Sequence, residues 1–108
     1  MKRVVYATAA IVAPLLALAN PNDDFDRSLK LAEQKGCFEC HTLGRSYIGP
    51  SFAAIARHYR RDPEARDRLP YIIRGGSAGH WGERFVMWPR PNLSDAEVQQ
   101  LVRWILSQ

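Results

Sequence analysis

Cys37 and Cys40 stand three positions apart, and His41 directly follows the second thiol. A Cys-x-x-Cys-His string of this kind can attach a c-type haem. Each thiol adds to one of two neighbouring vinyl groups of the macrocycle, so the cysteines must be close but not adjacent. The next residue is then carried beneath the ring, where an imidazole nitrogen can bind iron. Two other chemistries use paired cysteines. A thioredoxin-like redox pair needs a strand, the cysteines and a helix within an α/β fold, and it leaves His41 an accident. Half of a zinc site needs partners, yet the chain holds only 2 cysteines and 3 histidines, and His58 and His80 lack zinc-like spacing. Haem attachment uses all three residues, and the export signal described below agrees with it.

A haem iron takes a second axial ligand. The stretch from His80 to Pro91 holds two tryptophans, Met87, Pro89 and Pro91, and cannot be a regular helix beyond Trp88. Met87 is the only methionine outside the first residue. A buried methionine is most often a gap-filler. A thioether is also a soft, neutral ligand that suits haem iron and raises its potential, so beside a haem Met87 is the preferred sixth ligand. His80 is the rival, and His58 a distant third. His41 itself needs an acceptor to fix its tautomer. The Pro50 carbonyl, following Ile48-Gly49, is a candidate, although a Gly-Pro pair alone marks only a turn.

These residues must be positioned by helices. Asp23 or Asp24 can cap a first helix over 24–35, stopped by Gly36, with Phe25, Leu29 and Ala32 on its buried face. Asp26 and Lys30 form an i,i+4 pair on its outer face. A second helix spans Ser51–Arg60, with Phe52, Ile55, Ala56 and Tyr59 inward and His58 exposed. Asp62-Pro63 restarts the chain for a short helix over 63–69, which Pro70 should break before another turn or two to Arg74. Gly75 to Gly79 reads as a flexible turn. Ser94-Asp95-Ala96-Glu97 is a capping box, opening a helix to about Ser107 whose stripe is Val98, Leu101, Val102 and Ile105, with Trp104 flanking.

The first 19 residues have the form of a secretory signal: Lys2 and Arg3, an apolar run, and Ala17-Leu18-Ala19 as a cleavage pattern ending at Ala19. An uncleaved anchor is the alternative, but the run is short of a span and contains Pro14. Residues 20–108 are then one domain in the periplasm, with no stable membrane insertion after cleavage. The 15 Lys and Arg exceed the 11 Asp and Glu by four, and by two without Lys2 and Arg3. The basic residues interleave with acids, as in Arg66-Asp67-Arg68, which argues against nucleic-acid binding. An acidic redox partner is compatible with this surface; the plainer reading is a solvated face.

The order of features resembles a small bacterial class I cytochrome c of the c-551/c-552 type. The matching residues are Lys35-Gly36, Cys37-Phe38-Glu39-Cys40-His41, Ile48-Gly49-Pro50-Ser51, Gly75 to Gly82, Met87, and Leu93 to Glu97 with Trp104 to Ser107. The resemblance implies an all-α cytochrome c fold of about four to five short helices around one haem c. It implies thioether bonds at Cys37 and Cys40, axial ligands His41 and Met87, and Pro50 accepting from His41. It implies Trp81 near a haem propionate, Asn92 near the Met87 sulfur, and the first and last helices crossing. The chain departs from the family pattern in one place. Trp81-Gly82 is followed by one extra residue before Met87, the proline before that methionine is lost, and Trp88-Pro89-Arg90-Pro91 replaces Pro-Pro.

The expected function is electron carriage between redox proteins, by a monomer or in transient complexes, without enzymatic activity. Two alternatives remain. One is a haem protein with an open distal site, using His80 or Arg84. The other is the carrier subunit of a larger oxidoreductase.

Overall fold

The computed structural model describes residues 1–15 and 20–108. Residues 1–15 carry no helix or strand and are exposed, and the expected cut after Ala19 lies outside the described residues. The elements are α1 Pro21–Gln34, α2 Phe52–Tyr59, α3 Ala65–Gly75, β1 Ser77–Gly79, β2 Gly82–Met87 and α4 Asp95–Leu106, with a 3-10 turn at Cys37–Glu39. Each of α1, α2 and α3 packs on α4. Among the described residues no helix is long and apolar enough to cross a membrane.

Helix α1 starts three residues before the expected position. Asn20 is the cap: its side chain accepts from the Asn22 N–H at 3.0 Å. Pro21 then occupies the first turn, where a missing N–H costs nothing. The buried face also differs. Ser28 and Ala32 are buried, Leu29 is half-buried, and Phe25 is 38% exposed. The two small residues let α1 approach α4, and Gln100 donates to Ser28 Oγ at 3.2 Å. Phe25 lies at the edge, 5.9 Å from the Trp104 ring. The ion pair on the outer face joins Asp24 and Arg27 at 3.3 Å rather than Asp26 and Lys30.

Pro70 does not break α3; it lies inside the helix and is buried. A proline there removes one N–H and leaves the carbonyl one turn back without its helical partner. The loss is local, whereas Leu69, Pro70 and Ile73 together bury one face in the core. Packing therefore outweighs the break that local preference dictates. Helix α4 opens on the expected capping box. Ser94 Oγ accepts from the Glu97 N–H at 3.1 Å, and Glu97 accepts from the Ser94 N–H at 3.0 Å. Its expected stripe is buried, and so is Trp104, 4.9 Å from the Phe52 ring.

Residues 77–87 are not a loose loop. They form an antiparallel hairpin with Ser77 opposite Met87 and Ala78 opposite Val86, irregular beyond Ala78. Ser-Ala-Gly has low strand propensity, which hides β1 in the sequence. Side chains alternate along β2: Phe85 and Met87 are half-buried, while Arg84 and Val86 are exposed. The mostly helical fold thus includes a small sheet, and the sheet carries Met87.

Candidate functional site

Helix α1 delivers the chain through Lys35-Gly36 into the cysteine motif. The 3-10 turn is closed by the His41 N–H donating to the Cys37 carbonyl at 3.0 Å. Cys37 and Cys40 are free, half-buried thiols. Burial pushes the Cys37 thiol up, and the Arg90 guanidinium opposes that shift. The loop after His41 folds back at once: Gly49 N–H donates to the Cys40 carbonyl at 2.7 Å, and the carbonyls of Thr42 and Leu43 accept from Phe52 and Ala53. The motif is thereby tied to the start of α2.

His41 Nδ1 lies 2.6 Å from the Pro50 carbonyl oxygen. A carbonyl can only accept, so the ring proton is on Nδ1. In the neutral ring, Nε2 then holds a free lone pair. Burial lowers the His41 pKa; the Pro50 carbonyl acts against this and the Arg90 charge adds to it. The Phe52 ring stacks on the imidazole, with centroids 5.2 Å apart. The Pro50 carbonyl and the Phe52 ring thus hold the side chain in one orientation, with Nε2 turned away from the Pro50 bond.

These residues open onto a cleft whose atom-free space is about 1250 Å³, its mouth included. Cys37, Cys40, His41 and Pro50 line it, as do Trp81 and Met87 from the hairpin region. The rest of the lining is mostly apolar, with Ile55, Leu69 and Leu101 among it. A slot with so apolar a lining suits the face of a flat macrocycle rather than a bare ion. Among the described residues, no three His, Cys, Asp or Glu side chains gather as they would around a bare metal ion. Two thiols, an oriented imidazole, a thioether and an apolar slot are the donor set and shape that a covalent haem requires.

Asn92 is exposed and lines a separate surface groove with Gln34 and Lys35. The backbone explains this: the Arg90 N–H is bound by the carbonyls of Ile73 and Arg74 at 3.0 and 3.1 Å, and Pro91 follows immediately. The strap, residues 83–91, is anchored at Arg90, and Asn92 lies in the turn at Pro91-Asn92 that follows. His80 is exposed and lines the cleft. Arg84 does not line it and sits over the Phe85 ring at 5.4 Å. His58 is exposed as expected, its ring 4.7 Å from Trp81.

Sequence reasoning missed two contributors. Arg90 lines the cleft; its only signal was a lone basic residue between two prolines. Gly49 shows in the sequence as half of a Gly-Pro turn within Ile48-Gly49-Pro50-Ser51, yet a Cβ there would lie 2.9 Å from His41 Cε1 and 3.0 Å from Nδ1. Gly49→Ala is therefore expected to push the imidazole off the Pro50 carbonyl. Losing that bond weakens His41 by about 1 kcal/mol, or roughly 0.7 pH units. An imidazole bound to a haem iron leaves by protonation as pH falls, so with His41 as that ligand its release should move to higher pH. An acid titration followed optically on the haem-loaded protein checks this; an unchanged midpoint contradicts it.

The sequence profile of the family described as Cytochrome c matches residues 26–108. The chain is 44% identical to cytochrome c-552 of Hydrogenobacter thermophilus over 78 residues, 72% of this chain and 78% of that protein. It is 37% identical to cytochrome c-551 of Allochromatium vinosum over 99 residues, 92% of this chain and 95% of the relative. Among solved structures, wild-type cytochrome c552 of Nitrosomonas europaea superposes with a TM-score of 0.69 at 37% identity, covering 73% of this chain and 96% of that one.

Proposed function

The chain belongs to the cytochrome c family, and from that premise we propose that Cys37 and Cys40 hold one haem c whose iron is bound by His41 and Met87. The protein is a monohaem c-type electron carrier. When bound, the haem supplies a one-electron Fe(III)/Fe(II) couple. The side chains of this protein hold and tune that couple. The Pro50 carbonyl fixes His41 with Nε2 available, and a thioether from Met87 favours the ferrous state. The apolar lining excludes water, which disfavours the extra charge of the ferric centre. Trp81, half-buried in the lining, would donate its indole N–H to a propionate.

The observation that carries the reading is the 2.6 Å bond from His41 Nδ1 to Pro50, made beside a large apolar cleft that Met87 also lines. The chain serves as a carrier rather than as a catalyst of substrate conversion. Residues 1–19 act as an export signal, and the mature protein works in the periplasm. Its partners are redox proteins that meet the exposed haem edge in a small, transient contact.

An optical spectrum of the mature haem-loaded protein, ferric and ferrous, before and after carbon monoxide, tests the ligation. The expected result is low-spin iron, a Met-to-ferric-iron band, and no carbon monoxide shift. A high-spin spectrum or a rapid shift overturns Met87 as a stable ligand. It favours the open-site reading, in which His80 is the polar group lining the cleft.

A further inference from the structure

Arg90 is the only permanently charged side chain lining the cleft among the described residues. Its backbone is pinned, with the N–H shared between the Ile73 and Arg74 carbonyls. Its side chain reaches back across the cleft mouth to the cysteine motif. Arg90 Nη2 lies 3.7 Å from Glu39 Oε2, and Glu39 sits between the two cysteines. The pair lies over Gly36, where a Cβ would come within 3.4 Å of Glu39 and 3.5 Å of Arg90 Nη1. Met87 is three residues before Arg90 on the same strap. The strap is longer than the family pattern and lacks the proline before the methionine, so it needs another restraint.

We propose that Arg90 is a positioning residue: through Glu39 it latches the Met87 strap to the Cys37–His41 segment, and its fixed charge tunes the iron. The inference rests on Met87 as the second ligand. A cation in an apolar cleft disfavours the ferric state and raises the potential. Arg90 lines the same cleft as Cys37 and His41, so its field reaches the motif. Glu39 is largely exposed and Arg90 about one-third exposed, so solvent weakens the latch. A modest effect on strap opening follows.

The test uses the haem-loaded protein with Arg90→Gln, Arg90→Lys and Glu39→Gln. Imidazole binding to ferric iron reads how readily Met87 leaves. Arg90→Gln and Glu39→Gln are each expected to tighten imidazole binding about two- to fivefold. Arg90→Lys keeps the charge and should stay near the parent protein. The reduction potentials should move in opposite directions: down in Arg90→Gln, where a cation is lost, and up in Glu39→Gln, where an anion is lost. A purely packing role for Arg90 would leave Glu39→Gln unchanged in imidazole binding. Combining Glu39→Arg with Arg90→Glu should restore resistance to imidazole. If the parent protein lacks the Met-to-iron band, the Met87 reading fails and the latch fails with it. If the band is present and every variant binds imidazole like the parent, the latch alone is overturned.

Discussion

Met87→Ala is expected to turn the protein from a closed electron carrier into one that binds small ligands. The residue ends β2 and faces the cleft from a strand whose alternation also turns Phe85 inward. With Met87 as the proposed second ligand, removing the thioether takes away the soft neutral donor that favours ferrous iron. The potential should then fall on the order of a few tenths of a volt, within the ~0.8 V range that axial ligands set. Ferrous iron should bind carbon monoxide rapidly, and the Met-to-ferric-iron band should vanish. The fold should survive, because Met87 is half-buried and sits at a strand end rather than in the central core. The stability cost is expected to stay below about 2 kcal/mol, the lower end for Met-to-Ala in a core. A spectroelectrochemical titration with carbon monoxide addition reads all three effects. A variant whose potential and carbon monoxide response match the parent's would transfer the ligand role to another residue, with His80 first in line because it also lines the cleft.

Gly76→Ala is expected to be the most damaging small substitution. Gly76 has φ +76°, and a Cβ there would lie 2.5 Å from the Met87 carbonyl oxygen and 3.1 Å from Pro89. With ψ 175° this is an extended, positive-φ conformation that essentially only glycine adopts, and it costs another residue roughly 1–3 kcal/mol. The nearest clashing atom belongs to backbone, so no side-chain rotation relieves it. The strand carrying Ser77 must move away from Met87, its partner in the hairpin. With separation of the strap added, a total of about 3 kcal/mol is a fair magnitude for strain of this kind. For a domain of this size that lowers Tm by roughly 10–20 °C. The Met-to-iron band should weaken in the same variant, since the strap that moves is the one holding the ligand. The neighbouring Gly75→Ala is the control: it ends α3, and nothing lies within 4 Å of a Cβ there. Its effect should be neutral or slightly stabilising, because Ala exceeds Gly in helix propensity. Equal losses in both variants would remove the close approach at Gly76 as the cause.

The features legible in the sequence are those set by chemistry within a few residues. Cys37, Cys40 and His41 are adjacent enough that covalent spacing alone announces a haem. The Ser94–Glu97 capping box closes within one helical turn and is present as read. The inward stripe of α4 follows from its 3.6-residue period, and Ser51, the first residue of the helix expected there, caps α2 with its side chain. Asn20-Pro21 was an equally local signal for the start of α1, but the acidic pair at Asp23 and Asp24 obscured it; the acids in fact sit in the first turn.

Tertiary structure decided whatever depends on residues far apart in the chain. Pro70 stays helical because its face is buried, a gain invisible to local propensity. Residues 77–87 become a hairpin because Met87 and Ser77 pair across ten positions, not because Ser-Ala-Gly prefers to be a strand. Asn92 lines a surface groove because the Arg90 amide is captured by α3 carbonyls. Gly49 and Gly76 matter for what approaches them, an imidazole ring and a strap carbonyl, and no spacing rule records such contacts. The sequence by itself determined the covalent haem attachment, because Cys37, Cys40 and His41 are near neighbours in the chain. That Met87 and Arg90 line the same cleft as this motif was decided only when distant segments packed together.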